Sequence, residues 1–524
     1  MSAPRRRCRA HSDAARSSSP LPLTFFDERA GPSNHPFPSP ISRPHRPDHG
    51  RPTHGTPAFH AVTHARYRRV SSLSRKRPPV KSAAPTALRG RIVTFRADPF
   101  ATDPSSALLI EEDGLILMEN GQINAVGSYD RLRHRLSPDT TLVSYGKALI
   151  SAGFIDTHVH YPQLPVIASW GEQLPQWLER YVFPAEAAFA DPQLARDVAR
   201  RFLRELMRAG TTTACAYCTV HPQSVDAFFT ESERLGTRMI AGKVLMDRNA
   251  PAELRDTAAS GHAESSALIA RWHGRGRQLY AVTPRFAITS TPEQLEAAGD
   301  LLRTHDGVYL QTHLAENMEE IATVRRLFPE RSSYLDVYDH AGLLGPRSVF
   351  GHAIHMTETD FCRCHETDSA LAHCPTSNLF LGSGLFRVFD ALDRRRPVRV
   401  GLGTDIGAGT SLSHLRTMGE AYKVAQLTGR SLHPAQALWL ATAGAARSLS
   451  LDTQIGTIAP GMEADLCVLD PCATPLLRYR TERCASIEEL LFVLMTLGDE
   501  RCVKATWVAG RLIHENAGDT SSER

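Results

Sequence analysis

Between residues 148 and 455 the chain alternates strand-like apolar runs with helical stretches, and this alternation restricts it to a parallel α/β architecture. Eight runs can be counted, at residues 148–155, 211–217, 238–245, 280–285, 308–312, 349–351, 370–372 and 398–403. The stretch between the first two shows what the helical half of a unit looks like. Asp191 stands at the cap position and Pro192 at the first helical position. An apolar stripe follows through Leu194, Val198, Phe202, Leu203, Leu206 and Met207, and Gly210 is the stop. Eight such units predict a closed (β/α)8 barrel of the TIM type. An open doubly wound sheet is the alternative, but no G-x-G-x-x-G follows the first run.

The flanks of the barrel read differently. Residues 90–147 alternate apolar and polar positions over short runs (residues 91–95, 115–118 and 122–126) separated by turn residues, the pattern of small antiparallel β structure. The same pattern returns over residues 456–515, so the two segments are expected to pair into one small β-sandwich domain beside the barrel. Residues 1–89 hold 17 Lys or Arg against 4 acidic residues and are rich in Pro, Ser and His. Such a segment cannot bury enough apolar surface to offset its ordering entropy, and the expectation is a disordered tail. Its Arg- and Ser-rich, acid-poor composition also suits a transit peptide, a nucleic-acid-binding arm or untranslated sequence ahead of a later start. Residues 516–524 are expected to be a second short tail.

With the basic tail set aside, the body is mildly acidic, which gives no general attraction to nucleic acid. No apolar run approaches the ~18 residues of a membrane span. The 10 cysteines are irregularly spaced and do not form a disulfide framework, which fits a reducing cytoplasm. Cys215-Ala216-Tyr217-Cys218 has no second ligand pair for zinc. His262-Ala263-Glu264 matches the H-x-E of cytidine-type deaminases, but no P-C-x-x-C accompanies it, and it lies in a charged helical stretch.

Chemistry on a (β/α)8 barrel gathers at the C-terminal ends of the strands. The first run ends at His158 and His160, whose i, i+2 spacing puts both imidazoles on one face of an extended chain. The fifth is followed by His313 and Glu316, the sixth by His352 and the eighth by Asp405. Any one of these is commonly structural: an H-x-H can be two polar residues at a strand end, and a glutamate at a helix start is favoured by the dipole. Four imidazoles and a carboxylate at one rim, however, form a borderline N/O ligand set suited to zinc and less well to iron. A metal there lowers the pKa of a bound water from ~15.7 to about 7, which makes it a nucleophile for hydrolysis. Asp405 is placed to orient that water or take its proton. Glu316 reads as a general acid/base that is not itself a ligand.

The residues around this set resemble the amidohydrolase superfamily and, within it, the guanine deaminase family. The likeness runs from about residue 90 to residue 513. H-x-H and the terminal aspartate are shared widely across the superfamily, whereas three continuations are narrower: Tyr161-Pro162-Gln163, Met246-Asp247-Arg248-Asn249-Ala250-Pro251 and Pro284-Arg285-Phe286. The resemblance implies that His158, His160, His313, His352 and Asp405 hold one zinc per subunit, with Fe2+ the second choice. The fourth run ends in Arg285 and offers no bridging lysine for a second metal. By the same resemblance Gln163 reads the purine edge, Arg285 faces the purine carbonyl and Phe286 walls the pocket, with His313 and Asp405 also facing the substrate.

The implied reaction is hydrolysis of a C–N bond in a cyclic amidine, turning guanine into xanthine and ammonia in purine catabolism. The nearest alternatives are deamination of 8-oxoguanine, a pterin or a triazine, and a non-enzymatic scaffold of the same fold. Members of the family often dimerise, so a homodimer is expected. Around the site, His355 and His373 read as supports rather than ligands. Tyr161 and Trp177 are candidates for closing the pocket, with Trp177 on a lid.

Overall fold

Both ends of the chain are needed to build one sheet. The structure, a computed structural model, describes residues 85–170 and 173–516. The tail expected over residues 1–89 therefore lies outside the described residues up to position 84, as do residues 517–524. Strand β1 (Thr86–Phe95) begins inside that expected tail, because Ala87 and Leu88 are fully buried against β2 (Leu108–Glu119). With β3 (Gln122–Ser128) and β4 (Thr141–Ala152), these strands supply the N-terminal part of the sheet. Strands β14 (Leu466–Leu469), β15 (Val503–Val508) and β16 (Arg511–Glu515) supply the rest, in the order β16-β15-β14-β4-β1-β2-β3. Leu88, Ile92, Ile116, Ile150, Leu466, Val468 and Trp507 form its core, and the Trp507 indole donates to Tyr145 Oη at 2.8 Å.

The apolar run at 148–155 is two strands rather than one. Residues 149–152 pair with 466–469 in the flanking sheet. The barrel's first strand, β5 (Phe154–His160), starts only after Gly153, so the barrel begins at residue 154 instead of 148. Two strands that are buried on both faces and joined end to end read as a single apolar stretch. The other barrel strands lie close to the expected runs: β6 (Thr211–Tyr217), β7 (Arg238–Gly242) with β8 (Val244–Leu245), β9 (Leu279–Pro284), β10 (Tyr309–Leu314), β11 (Ser348–His352), β12 (Ala370–His373) and β13 (Arg399–Leu402). Each ladder is parallel. The ring closes where Asp405 N donates to His158 O and His160 N to Ile406 O, both at 2.9 Å.

The expected helix between β5 and β6 spans Pro192–Arg208, with Asp191 accepting from Gln193 N at 2.8 Å as its cap. Its stripe of Val198, Phe202, Leu203 and Leu206 packs outside the barrel wall. At the N-terminal end of the barrel, Ile155, Ile240, Tyr309 and Val349 pack with Leu449, Leu451 and Ile455, which close that end. The C-terminal segment is not only β structure. Between β14 and β15 it forms a helix, Ile487–Leu497, that packs on the barrel helix His414–Leu427, inside the segment expected to be β structure; residues 490–495 are its apolar stretch. No helix among the described residues is long and apolar enough to cross a membrane.

The sheet is pinned to the barrel by buried charge. Arg277 pairs with both Glu463 and Asp465, and Arg238 pairs with Glu463. Asp465 is 3% exposed and also accepts from Ala509 N at 2.8 Å. Removing one member of such a cluster strands its partner in low dielectric. Asp465→Ala is expected to lower stability by about 2–3 kcal/mol, read from the denaturation midpoint. A midpoint unchanged from wild type would show that the cluster does not hold the two parts together.

Candidate metal centre and pocket

All five expected ligands meet at the C-terminal rim. His158 and His160 lie within β5, not beyond it, and extended geometry turns both rings inward. Asp405 Oδ1 is 3.3 Å from His158 Nε2 and 3.4 Å from His160 Nε2, and Asp405 Oδ2 is 3.7 Å from His352 Nε2. His160 Nε2 and His313 Nε2 are 3.1 Å apart. One nitrogen each from His158, His313 and His352 fall within 4.8 Å of one another. Backbone positions that side chains rarely adopt help to aim this set: φ is 66° at His352 and 51° at Asp405. Strain of that kind collects at functional sites.

The unused nitrogens test whether a metal fits. His313 Nδ1 donates to Arg285 O at 2.7 Å, so its Nε2 carries a lone pair. His352 Nδ1 donates to Asn378 Oδ1 at 2.8 Å, which leaves its Nε2 in the same state. The Nε2 atoms of His158 and His352 are buried with no hydrogen-bond partner. Buried polar atoms are seldom left unpaired, and lone pairs converging beside an ionised carboxylate are what a cation requires. Burial depresses the pKa of His158, His160 and His313, keeping them in the neutral form that ligates metals. For Asp405 burial acts in the opposite direction, but the surrounding histidines, His158 first, bring it to about 2. Cys374 also lies within reach of His158 and Asp405, yet burial raises its thiol well above the ordinary range and keeps it protonated.

Close packing sets the position of His158. A methyl group on Gly351 would stand 2.5 Å from His158 Cε1, and one on Gly403 would stand 2.8 Å from its Cβ. Beneath the ring, Asp156 accepts from the backbone N of Thr404 at 3.0 Å and of His158 at 3.2 Å, tying β5 to the turn that carries Asp405.

Glu316 is 3% exposed, and burial raises its pKa to about 7. Its Oε1 accepts from Ser383 Oγ at 3.0 Å and its Oε2 is 3.4 Å from His352 Nε2. Ser383 O in turn accepts from His355 Nε2 at 3.0 Å, which makes His355 a support, as expected. His373 is buried and stacks on Phe386, away from the cavity.

A cavity of about 400 Å3 opens beside these groups, lined among others by Gln163, Trp177, Arg285, Phe286, Glu316 and Asp405. Trp177 is 2% exposed on the short helix Leu174–Trp177 and forms part of the wall. Tyr161 does not reach the cavity. It packs against Phe189 and Phe228 and donates to Ser224 O at 2.8 Å, because its side chain falls on the core side of the turn. The Met246–Pro251 stretch braces the pocket from behind: Arg248 Nη2 donates to Ala287 O at 2.9 Å and Asn249 Nδ2 to Ile288 O at 2.8 Å. His262 pairs with Asp300 and Glu264 faces Lys243, and none of the four lines the cavity.

Four contributors were not singled out in the sequence: Asn378, Ser383, Asp156 and Glu186. Glu186 is fully buried and holds Arg285 Nη1 at 2.7 Å and Gln163 Nε2 at 3.0 Å. Asp156 stands two residues before His158 on β5, whereas Asn378, Ser383 and Glu186 carry no spacing signal and reach the site only through the folding of the chain.

A closed (β/α)8 barrel with a histidine- and aspartate-lined rim defines a class of hydrolase. The Amidohydrolase family profile matches residues 149–513. Guanine deaminase of Escherichia coli (strain K12) is 49% identical over 412 residues, covering 78% of this chain and 93% of that protein. The solved E. coli guanine deaminase superposes with a TM-score of 0.79 at 46% identity, over 83% of this chain and 100% of that one. A structure of guanine deaminase from C. acetobutylicum with guanine bound in the active site aligns with a TM-score of 0.73 at 26% identity, covering 82% of this chain and 100% of that one. The chain belongs to the guanine deaminase family of the amidohydrolases.

Proposed function

We propose that this chain hydrolyses guanine to xanthine and ammonia in purine catabolism, using one metal ion held by His158, His160, His313, His352 and Asp405. The observation that carries the reading is one cavity joining two sets of groups. Its walls bring imidazoles and a carboxylate together with an amide and a guanidinium, those of Gln163 and Arg285. The relatives are guanine deaminases by name, and one holds guanine in its active site. Zinc suits the N/O donor set, with Fe2+ second. When bound, the metal supplies a nucleophile at neutral pH by lowering the pKa of coordinated water.

The chain's residues do the rest. Asp405, ionised, accepts the proton of the attacking water. Glu316, with a pKa near 7, exists in both protonation states at neutral pH, as a general acid/base must. It gives its proton to the ring nitrogen adjoining C2, takes up the proton of the hydroxyl now on C2 and passes it to the exocyclic nitrogen. The C2–N bond breaks, ammonia leaves, the C2 carbonyl of xanthine forms, and the proton held by Asp405 returns to Glu316. Gln163 offers an N–H and a lone pair to the purine edge carrying N3 and the amino group. Arg285 places positive charge at the purine carbonyl, where electron density gathers in the transition state. Phe286, 8% exposed, stacks along one wall. The chain is expected to work in the cytoplasm, with buried thiols that remain unpaired.

A substrate panel tests the reading. Ammonia release is expected from guanine at least about tenfold faster, as kcat/KM, than from 8-oxoguanine, pterin or an aminotriazine, the discrimination that paired polar groups supply. Preference for any of the other three would transfer the assignment to that ring.

A further inference from the structure

We propose that Glu186 is a positioning residue that sets the hydrogen-bonding polarity of the substrate readers Gln163 and Arg285, a role that rests on the guanine reading of the pocket. Glu186 lies on the helix Phe183–Ala187, is 0% exposed and is not part of the cavity wall. Its carboxylate can only accept. Oε1 takes the Gln163 amide at 3.0 Å and Arg285 Nη1 at 2.9 Å, and Oε2 takes the same Arg285 nitrogen at 2.7 Å.

This acceptor decides which way the Gln163 amide faces. Nε2 must point at Glu186, and Oε1 then meets the backbone N–H of Gly407 at 3.0 Å, a group that can only donate. Both ends of the amide are locked by partners of opposite polarity. An amide has two N–H donors and two acceptor lone pairs, so one of each remains for a substrate. A ring edge pairing an acceptor nitrogen with an amino donor, as guanine presents at N3 and C2, matches that remainder.

Glu186 also neutralises Arg285 on its outer side. The guanidinium is 3% exposed and lies 5.7 Å from the Phe183 ring centroid, so the carboxylate is what holds its remaining N–H groups toward the cavity. One buried acid therefore orders the two groups that touch the purine while touching none of the reacting atoms itself.

The test is Glu186→Gln in the full-length, metal-loaded protein, with guanine as substrate. An amide at 186 can donate as well as accept, so the Gln163 orientation is no longer forced. KM for guanine is expected to rise about 10–100-fold while kcat falls by less than about tenfold, with metal content unchanged. In a Gln163→Ala background the same substitution should raise KM less, because the part of its effect carried by the Gln163 hydrogen bond is already gone and only the part through Arg285 remains. If Glu186→Gln does not fold, Glu186→Asp carries the same test. It keeps the charge beside Arg285 but is too short to hold both partners, and KM should again rise. An unchanged KM, or effects of Glu186 and Gln163 that simply add, would overturn the proposal. Wild-type protein that releases no ammonia from guanine would defeat the functional reading itself, and this proposal with it, a result visible before any variant is made.

Discussion

Glu316→Gln is expected to keep its metal and to lose turnover by about 10³-fold, the middle of the range for removing a general acid/base. The substitution is nearly isosteric, and the amide oxygen can still accept from Ser383 Oγ, now at 3.0 Å from the carboxylate. What disappears is a group whose burial holds its pKa near 7 and which faces the cavity beside His352. Metal content by elemental analysis and kcat by ammonia release separate the two outcomes. A variant that turns over near the wild-type rate would move the proton shuttle to another residue.

The second large effect is expected from His158→Asn. His158 is 1% exposed, and its Nε2 has no protein partner although it faces Asp405 at 3.3 Å. Losing only a residue that supports a ligand costs ~10–100-fold in affinity or activity. Losing the ligand should exceed that, with kcat/KM falling by on the order of 10³-fold and metal content dropping in parallel. Retention of one metal per chain would show that the centre is built from the other imidazoles. Gly351 and Gly403 give the ring its room, since a side chain at either position would collide with His158.

The barrel was legible in the sequence because parallel strands buried on both faces write continuous apolar runs, and the helices between them carry caps and stripes. His158 and His160 could be found from a period of two, and His313, His352 and Asp405 from their place at strand ends. The division at Gly153 was hidden because the last five residues of β4 and all of β5 are buried, so the apolar run continues across the point where one sheet gives way to the other. Tyr161 was misleading for a related reason. One residue past a strand, a side chain can face either the cavity or the core, and here it enters the aromatic cluster of Phe189 and Phe228. Asn378, Ser383 and Glu186 could not be found at all. Their partners lie 26, 67 and 99 residues away in sequence, brought together only by closure of the barrel.

In the proposed reaction, guanine hydrolysis depends on a metal held at this rim. The most direct test is ammonia release from guanine by purified protein before chelation, after chelation and after reloading with zinc. The expected result is xanthine and ammonia in equal amounts, loss of activity with the metal, and recovery as occupancy returns to about one ion per chain, the single-ion site of four imidazoles and a carboxylate. Fully loaded protein that leaves guanine unchanged would contradict it.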